Sequence, residues 1–372
     1  MRDLIVFGED FNGLPSSTQH LVKHLSTTRK ILWVNSIGLR KPKLTINDAK
    51  RAIGKLFGAS KSDFRGTETS STTPHNIDVV NVRTIPAPSR HWERQLAKSL
   101  IRAQLVPKIE KLQLQAPILW TSLPTAADLC GQLGDTNVVY YCGDDFGALA
   151  GVDHDTVTTH EQELSNKADL ILVASAKVQQ KFPACKTTLI QHGVDFERFT
   201  QPTPRALDLP QGKPIAGFYG SLSKWLDYPL LNQLIANMPD WNFVFIGKNE
   251  LSHSPLNPAP NLHLLGPKPH SALPSYSQHW QVSLLPFLDT PQIQACSPLK
   301  LLEYIAAGNP VVHTHFDAAK PYLYQTNLAN NAAQFERALR TYQDLKQPQP
   351  ASIQQDSWSS RAQFVDWLLE LL

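Results

Sequence analysis

Short apolar runs alternate with amphipathic stretches along the chain. Residues 4–7 form a continuous apolar run that ends at Gly8, which is the pattern of a fully buried strand. Ser16 or Ser17 can then cap a helix whose apolar positions within residues 21–25 share one face. Further runs that predict strands occupy residues 31–34, 77–82, 117–120, 137–141, 169–175, 214–220, 241–247, 280–286 and 310–312. This alternation predicts an α/β fold of doubly wound sheets, in which ligands bind at the carboxyl ends of the strands.

A length of 372 residues corresponds to about two domains. The best linker is the polar, proline-rich stretch 201–212, because a new apolar strand follows it. We therefore predict an N-terminal Rossmann-like domain over residues 1–203 and a second one over residues 204–355. The last stretch, residues 356–372, is predicted to form a helix with one apolar face.

The composition excludes several classes of protein. Hydrophobic residues make up 42% of the chain and charged residues 18%, as in ordinary soluble globular proteins. The formal net charge of +3 is too small to indicate nucleic-acid binding. Four cysteines without CxxC spacing favour a reducing cytosol and argue against a zinc site. The first apolar run is too short for a signal peptide, and no run approaches the roughly 18 residues that span a bilayer. We expect a cytoplasmic protein, either free or at the inner face of the plasma membrane.

Residues 40–65 stand out by their charge. They hold eight cationic and two acidic side chains, together with apolar residues that can form one helical face. Such a segment favours peripheral contact with anionic lipid or with a phosphorylated acceptor, and a mobile solvated insertion is the alternative. A second basic stretch is the helix predicted at residues 92–112, which Pro107 is expected to kink or divide. Cations in or just before this helix include Arg90, Arg94, Lys98, Arg102 and Lys108.

Residues 297–312 predict a loop, a helix and a buried strand. Pro298 suits the first turn of the helix, and Gly308 can end it. Lys300 and Glu303 lie three residues apart near the helix start, where free N–H groups and the helix dipole favour a phosphate. Glu303 can accept hydrogen bonds from a ribose or sugar diol. An ordinary βαβ helix with a solvated ion pair is the alternative.

Two adjacent acids, Asp144 and Asp145, follow the strand predicted at residues 137–141. Acids at the carboxyl end of a strand are well placed for substrate hydroxyls. Adjacent side chains usually diverge, so we expect one acid at the site and the other at the cap of the next helix. The alternative is that both acids cap the helix or are solvated.

The stretch around Glu303 resembles the donor-site segment of retaining, nucleotide-sugar-dependent glycosyltransferases of the GT-B fold, family 4. Their pattern is a glutamate, seven residues, a second glutamate and then small-x-Gly-x-Pro-Val-Val. Glu303 matches the second glutamate, and residues 307–312 match the tail. The first glutamate, which lies beside the donor sugar in that family, falls on Ala295.

Other stretches carry the same resemblance. Residues 192–195, His-Gly-Val-Asp, resemble the Asn-Gly-Val-Asp motif of these enzymes. Residues 140–146 resemble polysaccharide-pathway members of the group, which favours Asp144 or Asp145 as a catalytic contact to acceptor or sugar. Gly13 falls in the loop that faces the acceptor and the donor phosphates in GT-B enzymes.

The resemblance implies a donor site in the second domain. Related enzymes hold the diphosphate with an arginine and a lysine that follow the first strand of this domain. The corresponding residues here are Ser221 and Leu226, so Lys224 is the expected substitute. Glu303 is expected at the ribose, Gly266 at the base, and Lys300, also counted as catalytic, at the leaving diphosphate. The full set of expected donor-binding residues is Gly13, Gly220, Ser221, Lys224, Lys248, Gly266, Ser297, Pro298, Leu299, Lys300 and Glu303.

The implied reaction moves a sugar from a UDP- or GDP-sugar to an acceptor hydroxyl, with retention and without a metal or other cofactor. The implied fold has two Rossmann-like domains facing a cleft, with the helix of residues 356–372 returning to the first domain. Expected partners are the sugar nucleotide and a saccharide, lipid-linked or phosphorylated acceptor used in cell-surface polysaccharide or glycolipid synthesis, and no nucleic acid. Two alternatives remain: a GT-B subunit that binds sugar nucleotides without turnover, which Ala295, Ser221 and Leu226 favour, and a sugar-nucleotide epimerase.

Overall fold

The computed structural model describes residues 1–11, 13, 16–37, 74–143, 154–294, 299–344 and 350–372. These residues fall into two compact units. The N-terminal unit comprises the described residues up to Gln191 together with Arg361–Leu372, and the C-terminal unit comprises those of His192–Ser360. Each unit has its own parallel sheet and its own apolar core.

The N-terminal unit is built on one parallel sheet. Its strands are β1 (Leu4–Phe7), β2 (Ile31–Val34), β3 (Ile77–Val80), β4 (Ile118–Thr121), β5 (Asn137–Cys142), β6 (Leu170–Val173) and β7 (Thr187–Leu189). They lie in the order β3-β2-β1-β4-β5-β6-β7. The helices are α1 (Ser17–Leu25), α2 (His91–Leu112), α3 (His154–Lys167) and α4 (Ala176–Gln179), with 3-10 turns at Pro124–Leu129 and Ala184–Lys186.

The C-terminal unit repeats this plan. Its strands are β8 (Ile215–Tyr219), β9 (Asn242–Ile246), β10 (Leu262–Gly266), β11 (Val282–Leu285), β12 (Val311–His313) and β13 (Asn327–Leu328). They lie in the order β10-β9-β8-β11-β12-β13. The helices are α5 (Phe196–Thr200), α6 (Tyr228–Asn237), α7 (Pro274–Ser277), α8 (Pro291–Gln294), α9 (Leu299–Ala306) and α10 (Ala332–Tyr342), followed by α11 (Trp358–Glu370), which continues into the N-terminal unit. Further 3-10 turns lie at His270–Ala272, Asp317–Tyr322 and Pro350–Asp356.

The central strands are buried and mostly apolar because both faces of each sheet are covered. Every side chain of β1 is fully buried, and all four residues of β4 are buried as well. Continuous apolar runs, rather than alternating ones, are what such strands require. The prediction of two doubly wound α/β sheets is therefore confirmed.

Helix α2 differs from the expectation in one respect. It runs without interruption from His91 to Leu112 and contains Pro107, so the proline does not divide it. Pro107 is exposed, and water can therefore satisfy the carbonyl that loses its N–H partner.

Helix α11 groups with the N-terminal unit over most of its length. Val365 on its inner face is fully buried. Arg29, whose side chain is fully buried, donates hydrogen bonds of 2.8 Å to Asp366 and 2.5 Å to Glu370. Because a buried guanidinium is costly without such partners, these bonds anchor the last helix to the first unit.

Candidate functional site

Three glycines mark the carboxyl edge of the C-terminal sheet. Gly220, Gly247 and Gly266 end or directly follow the adjacent strands β8, β9 and β10, and Gly247 N–H donates to Gly266 at 2.9 Å. Their φ angles are 137°, 154° and 68°, and a Cβ on Gly247 would collide with the carbonyl oxygen of Gly220. Only glycine fits where the backbones of Gly220 and Gly247 approach each other so closely, so no side chain covers the backbone at this edge.

Lys300 lies across this edge. A Cβ placed on Gly220 would collide with Lys300 Cε and would lie 3.2 Å from its Nζ. The side chain is half-buried, and within the described part of the chain its ammonium has no hydrogen-bond or ion-pair partner. Gly220 follows β8 and Lys300 follows β11, and the strand order changes direction between these two strands. The structure thus brings two predicted site residues together at a topological switch point, where doubly wound sheets bind ligands.

The segment that follows β8 contains fewer candidate donor-binding residues. Leu226, where the related enzymes carry a lysine, is 1% exposed and bridges to Phe287 in the core. Lys224 is exposed and Ser221 is half-buried. Lys248 is exposed and directly follows Gly247 at the carboxyl edge. Donor contacts of Ser221, Lys224 and Lys248 stay predictions.

Glu303 lies inside the C-terminal unit. It is 3% exposed, and Tyr219 Oη donates to its Oε2 at 2.8 Å, while His270 Nε2 lies 2.7 Å from its Oε1. Tyr219 N–H in turn donates to Tyr304 Oη at 2.9 Å. Burial, and then the charge of Glu303, raises the pKa of Tyr219 well above its ordinary value, so the phenol keeps the proton that it donates.

His270 has a defined tautomer, because its other ring nitrogen faces an arginine. Arg198 Nη1 lies 3.0 Å from His270 Nδ1, and a guanidinium can only donate. Nδ1 must therefore accept, which leaves Nε2 to carry the hydrogen that bonds Glu303. Asp195, the last residue of the His-Gly-Val-Asp motif, completes the chain by accepting from Arg198 Nε at 3.0 Å. We call the chain Asp195–Arg198–His270–Glu303–Tyr219 the Glu303 network.

The Glu303 network was only partly foreseen. The motif residue Asp195 and Glu303 are in it, but His270 was missed, although it lies shortly after the predicted Gly266 turn. The side chain of His270 is 26% exposed, whereas that of Glu303 is 4% exposed. A carboxylate has about four lone-pair positions, so Glu303 can still accept bonds beyond the two it makes. Its ribose-binding role stays a prediction.

Several predicted residues fall outside the described residues: Asp144, Asp145, Ser297, Pro298 and the basic segment 40–65. Leu299 begins α9 and is half-buried. Gly13 follows β1 and closes a turn by donating to Asp10 at 2.7 Å, and a Cβ there would lie 2.9 Å from the same oxygen.

The N-terminal unit holds a cluster of charges that the sequence pattern did not indicate. Arg94 on α2 donates to both oxygens of Asp128, at 2.6 and 2.8 Å, and to Glu163 on α3 at 2.8 Å. Its hydrogen bonds with Glu163 and then Asp128 raise the pKa of Arg94, and they lower the pKa of Glu163. Burial by itself raises the pKa of Asp128, but the bonds and charge of Arg94 outweigh it and the pKa is lowered. We call these three residues the Arg94 cluster.

The described residues contain neither a metal-binding cluster nor a membrane-spanning helix. No group of three or more His, Cys, Asp or Glu side chains in these ranges is arranged to hold a metal ion. No helix among them is long and apolar enough to cross a membrane.

Solved structures match this architecture over the whole chain. Anabaena HepE, in complex with UDP and glucose, superimposes with a TM-score of 0.66 at 13% identity, covering 100% of both chains. The chain has the GT-B fold. A UDP-forming α,α-trehalose-phosphate synthase from Burkholderia xenovorans gives a TM-score of 0.58 at 14% identity over 98% of both chains. At these identities the likeness concerns the GT-B fold alone.

One curated relative is similar in sequence. The Bacillus subtilis protein TuaH, described as a putative teichuronic acid biosynthesis glycosyltransferase, is 27% identical over 232 residues. That segment is 56% of this chain and 58% of the relative, so the match spans little more than half of its length. No protein-family model matches the chain. The resemblance to GT-B glycosyltransferases that the motifs indicated is confirmed by these comparisons.

Proposed function

We propose that this protein is a glycosyltransferase that moves a sugar from a nucleoside diphosphate sugar to an acceptor hydroxyl. The observation that carries the proposal is the position of Lys300, which lies over Gly220 at the switch point of a GT-B C-terminal unit and has no partner among the described residues. The HepE structure, with the same fold, is described as holding UDP and glucose. The similarity to TuaH favours a role in cell-surface polysaccharide synthesis.

In this reaction the bond between the sugar C1 and the diphosphate oxygen breaks, and a bond forms between C1 and the acceptor oxygen. The acceptor proton leaves with the diphosphate or with a nearby base. Negative charge grows on the departing diphosphate, so a positioned cation stabilises the transition state more than the ground state. Lys300 supplies that positive charge. Lys224 is a second candidate, because Leu226, which stands where the related enzymes carry a lysine, is buried. Transfer proceeds with retention and without a metal.

The nucleoside occupies the carboxyl edge of β9 and β10. Bare backbone at Gly247 and Gly266 can approach a base closely, and the side chain of His270, which bonds Glu303, is 26% exposed. Glu303 binds the ribose diol through its remaining lone pairs. The acceptor is a saccharide, lipid-linked or phosphorylated molecule that Asp144 or Asp145 contacts, and the enzyme works in the cytoplasm, with residues 40–65 at the inner face of the plasma membrane.

The first experiment is a thermal-shift screen against UDP, GDP and their sugars, because a ligand that binds the folded state raises the melting temperature. We expect one nucleoside diphosphate and its sugar to shift the intact protein. A transfer assay with that donor and a panel of saccharide and lipid-linked acceptors then follows product formation. No shift with any nucleotide would overturn the proposal.

A subunit that binds without turnover is the second candidate, since Leu226 is buried and Ala295 stands at the first glutamate position. It predicts a thermal shift but no transfer with any acceptor. Incubation of the donor alone tests the epimerase alternative, which predicts a new sugar nucleotide without acceptor.

A further inference from the structure

Helix α5 holds the imidazole of His270 by two neighbouring side chains. Arg198 Nη1 lies 3.0 Å from His270 Nδ1, where it donates a hydrogen bond. The ring of Phe199, which is fully buried, meets the imidazole edge to face with 5.6 Å between the ring centroids. A ring bonded only to Glu303 could still pivot about that one bond, so the contacts from α5 fix its orientation.

Asp195 holds Arg198 in turn. One oxygen of its carboxylate accepts from the backbone N–H of Arg198 at 3.4 Å and caps α5, and the other oxygen accepts from Arg198 Nε at 3.0 Å. The same carboxylate therefore binds both the start of the helix and the guanidinium, which leaves Nη1 directed at His270. The last residue of the His-Gly-Val-Asp motif is thus connected to Glu303, although the two are far apart in the chain.

An ordinary surface ion pair is the simpler alternative. Asp195 and Arg198 are three residues apart, and their side chains are 30% and 40% exposed, so the pair by itself contributes little to stability. The exposed fraction then falls to 26% for His270 and 4% for Glu303. A series of bonds that begins at the surface and ends on a buried carboxylate is more than a surface pair requires, because a buried carboxylate depends on each of its partners.

We propose that Arg198, held by Asp195, is a positioning residue for Glu303. By fixing the orientation and the tautomer of His270, it directs the free lone pairs of the carboxylate at the ribose diol of a nucleoside diphosphate. The inference rests on the proposed function, in which Glu303 binds the ribose, and it adds the residues that make this carboxylate selective for ribose over deoxyribose. Arg198 acts through His270 and is not itself a ligand of the nucleotide.

Isothermal titration calorimetry of the full chain with UDP, GDP and their 2′-deoxy forms measures this selectivity. A hydrogen bond to a charged carboxylate corresponds to about 10- to 100-fold in affinity, so the unchanged chain should prefer the ribose form by about 30-fold. Arg198→Met should reduce that preference to about fivefold, with the affinity for the deoxy form nearly unchanged. Arg198→Lys keeps a cationic donor and should retain most of the preference.

Two comparisons separate positioning from a loss of stability. The matched control is Arg340→Met, which breaks a similarly exposed arginine–aspartate pair of the same unit, with Asp240, and should leave the ribose preference unchanged. In a chain that already carries His270→Leu, Arg198→Met should have no further effect on the preference, because its connection to Glu303 is interrupted. Circular dichroism and the melting temperature check that each variant is folded.

NMR of the histidine ring nitrogens at neutral pH tests the geometry without any nucleotide, and His270→Leu assigns the signals by their loss. In the unchanged chain we expect a hydrogen on Nε2 of His270 and none on Nδ1. A hydrogen on Nδ1, an unchanged ribose preference in Arg198→Met, or an equal loss in Arg340→Met would each overturn the inference while the proposed function stands. Failure of the unchanged chain to bind either UDP or GDP would overturn both.

Discussion

The two units hold buried carboxylates in different ways. In the Arg94 cluster one guanidinium binds two carboxylates, so each carboxylate has a cationic partner. In the Glu303 network the carboxylate is held by a phenol and a neutral imidazole, so its negative charge is solvated by dipoles. One arrangement is a cross-link between α2, α3 and the turn after β4, while the other lies directly behind the glycine edge and Lys300.

This difference indicates which of the two groups of residues can interact with a bound ligand. A cluster in which each carboxylate is already bound by a guanidinium gains little from a ligand and contributes mainly to folding. A carboxylate with neutral partners can respond to a polar ligand, and Lys300 on the same helix has no partner among the described residues. We therefore expect substitutions in the C-terminal unit to change binding and turnover, and substitutions in the Arg94 cluster to change stability.

The largest effect is expected from Lys300→Ala. Loss of the cation at the departing diphosphate should lower kcat by about 100-fold or more, the range found for single groups that stabilise transition-state charge. The melting temperature should stay nearly unchanged, since the ammonium has no partner among the described residues. Steady-state kinetics with the donor identified by thermal shift measure this, with Lys213→Ala at the opposite end of β8 as the control. Near-normal turnover would remove Lys300 from the reaction.

Arg94→Ala should have the largest effect on stability. Asp128 and Glu163 would face each other without a cation, and we expect a loss of about 2–3 kcal/mol in the free energy of unfolding, between the values for exposed and buried pairs. Urea denaturation measures it, and Arg102→Ala on the same helix is the control because Arg102 makes no hydrogen bond or ion pair with the described residues. Nucleotide affinity should not change; a parallel loss of affinity would contradict the division between the two clusters.

His270→Leu should weaken nucleoside diphosphate binding about tenfold, because a hydrogen bond to a buried charged group is lost and Glu303 keeps only Tyr219. His270→Gln can donate to Glu303 and accept from Arg198, so it should restore affinity. Isothermal titration calorimetry measures both variants, with His263→Gln as a control in the same unit, where His263 bonds Asn242 at 3.1 Å. If His270→Leu and His270→Gln bind the nucleoside diphosphate with equal affinity, the hydrogen bonds of His270 do not position Glu303.

The smallest effect concerns pH. Arg94 lowers the pKa of Glu163 and, against the effect of burial, that of Asp128. Groups with lowered pKa values contribute stability that is present above their unfolded values, which are about 4, and that is lost as the pH falls through the folded values. The stability difference between the unchanged chain and Arg94→Ala should thus shrink by about 1 kcal/mol or less below pH 4. Urea denaturation at pH 3 to 6 measures this stability difference. A difference that grows as the pH falls would contradict the lowered pKa values of Glu163 and Asp128.

Local sequence patterns were sufficient for the strands and for one functional pairing. Residues 4–7, 118–121 and 282–285 are mostly apolar because they are buried on both faces, and this can be recognised without knowledge of their neighbours. Gly220 and Lys300 were grouped because the resemblance to GT-B glycosyltransferases implies that both belong to the donor site. The continuity of α2 through Pro107 depended on solvent exposure, which periodicity does not report.

The sequence by itself determined the α/β class, the GT-B resemblance and the placement of Lys300 near the start of a helix. Only the tertiary structure decided which polar groups are already engaged: Glu303 with Tyr219 and His270, and Arg94 with two carboxylates from other elements. The reason is distance along the chain. Helical and strand periods describe neighbours within a few residues, whereas these partners are 33 to 84 positions apart and meet only when the elements pack.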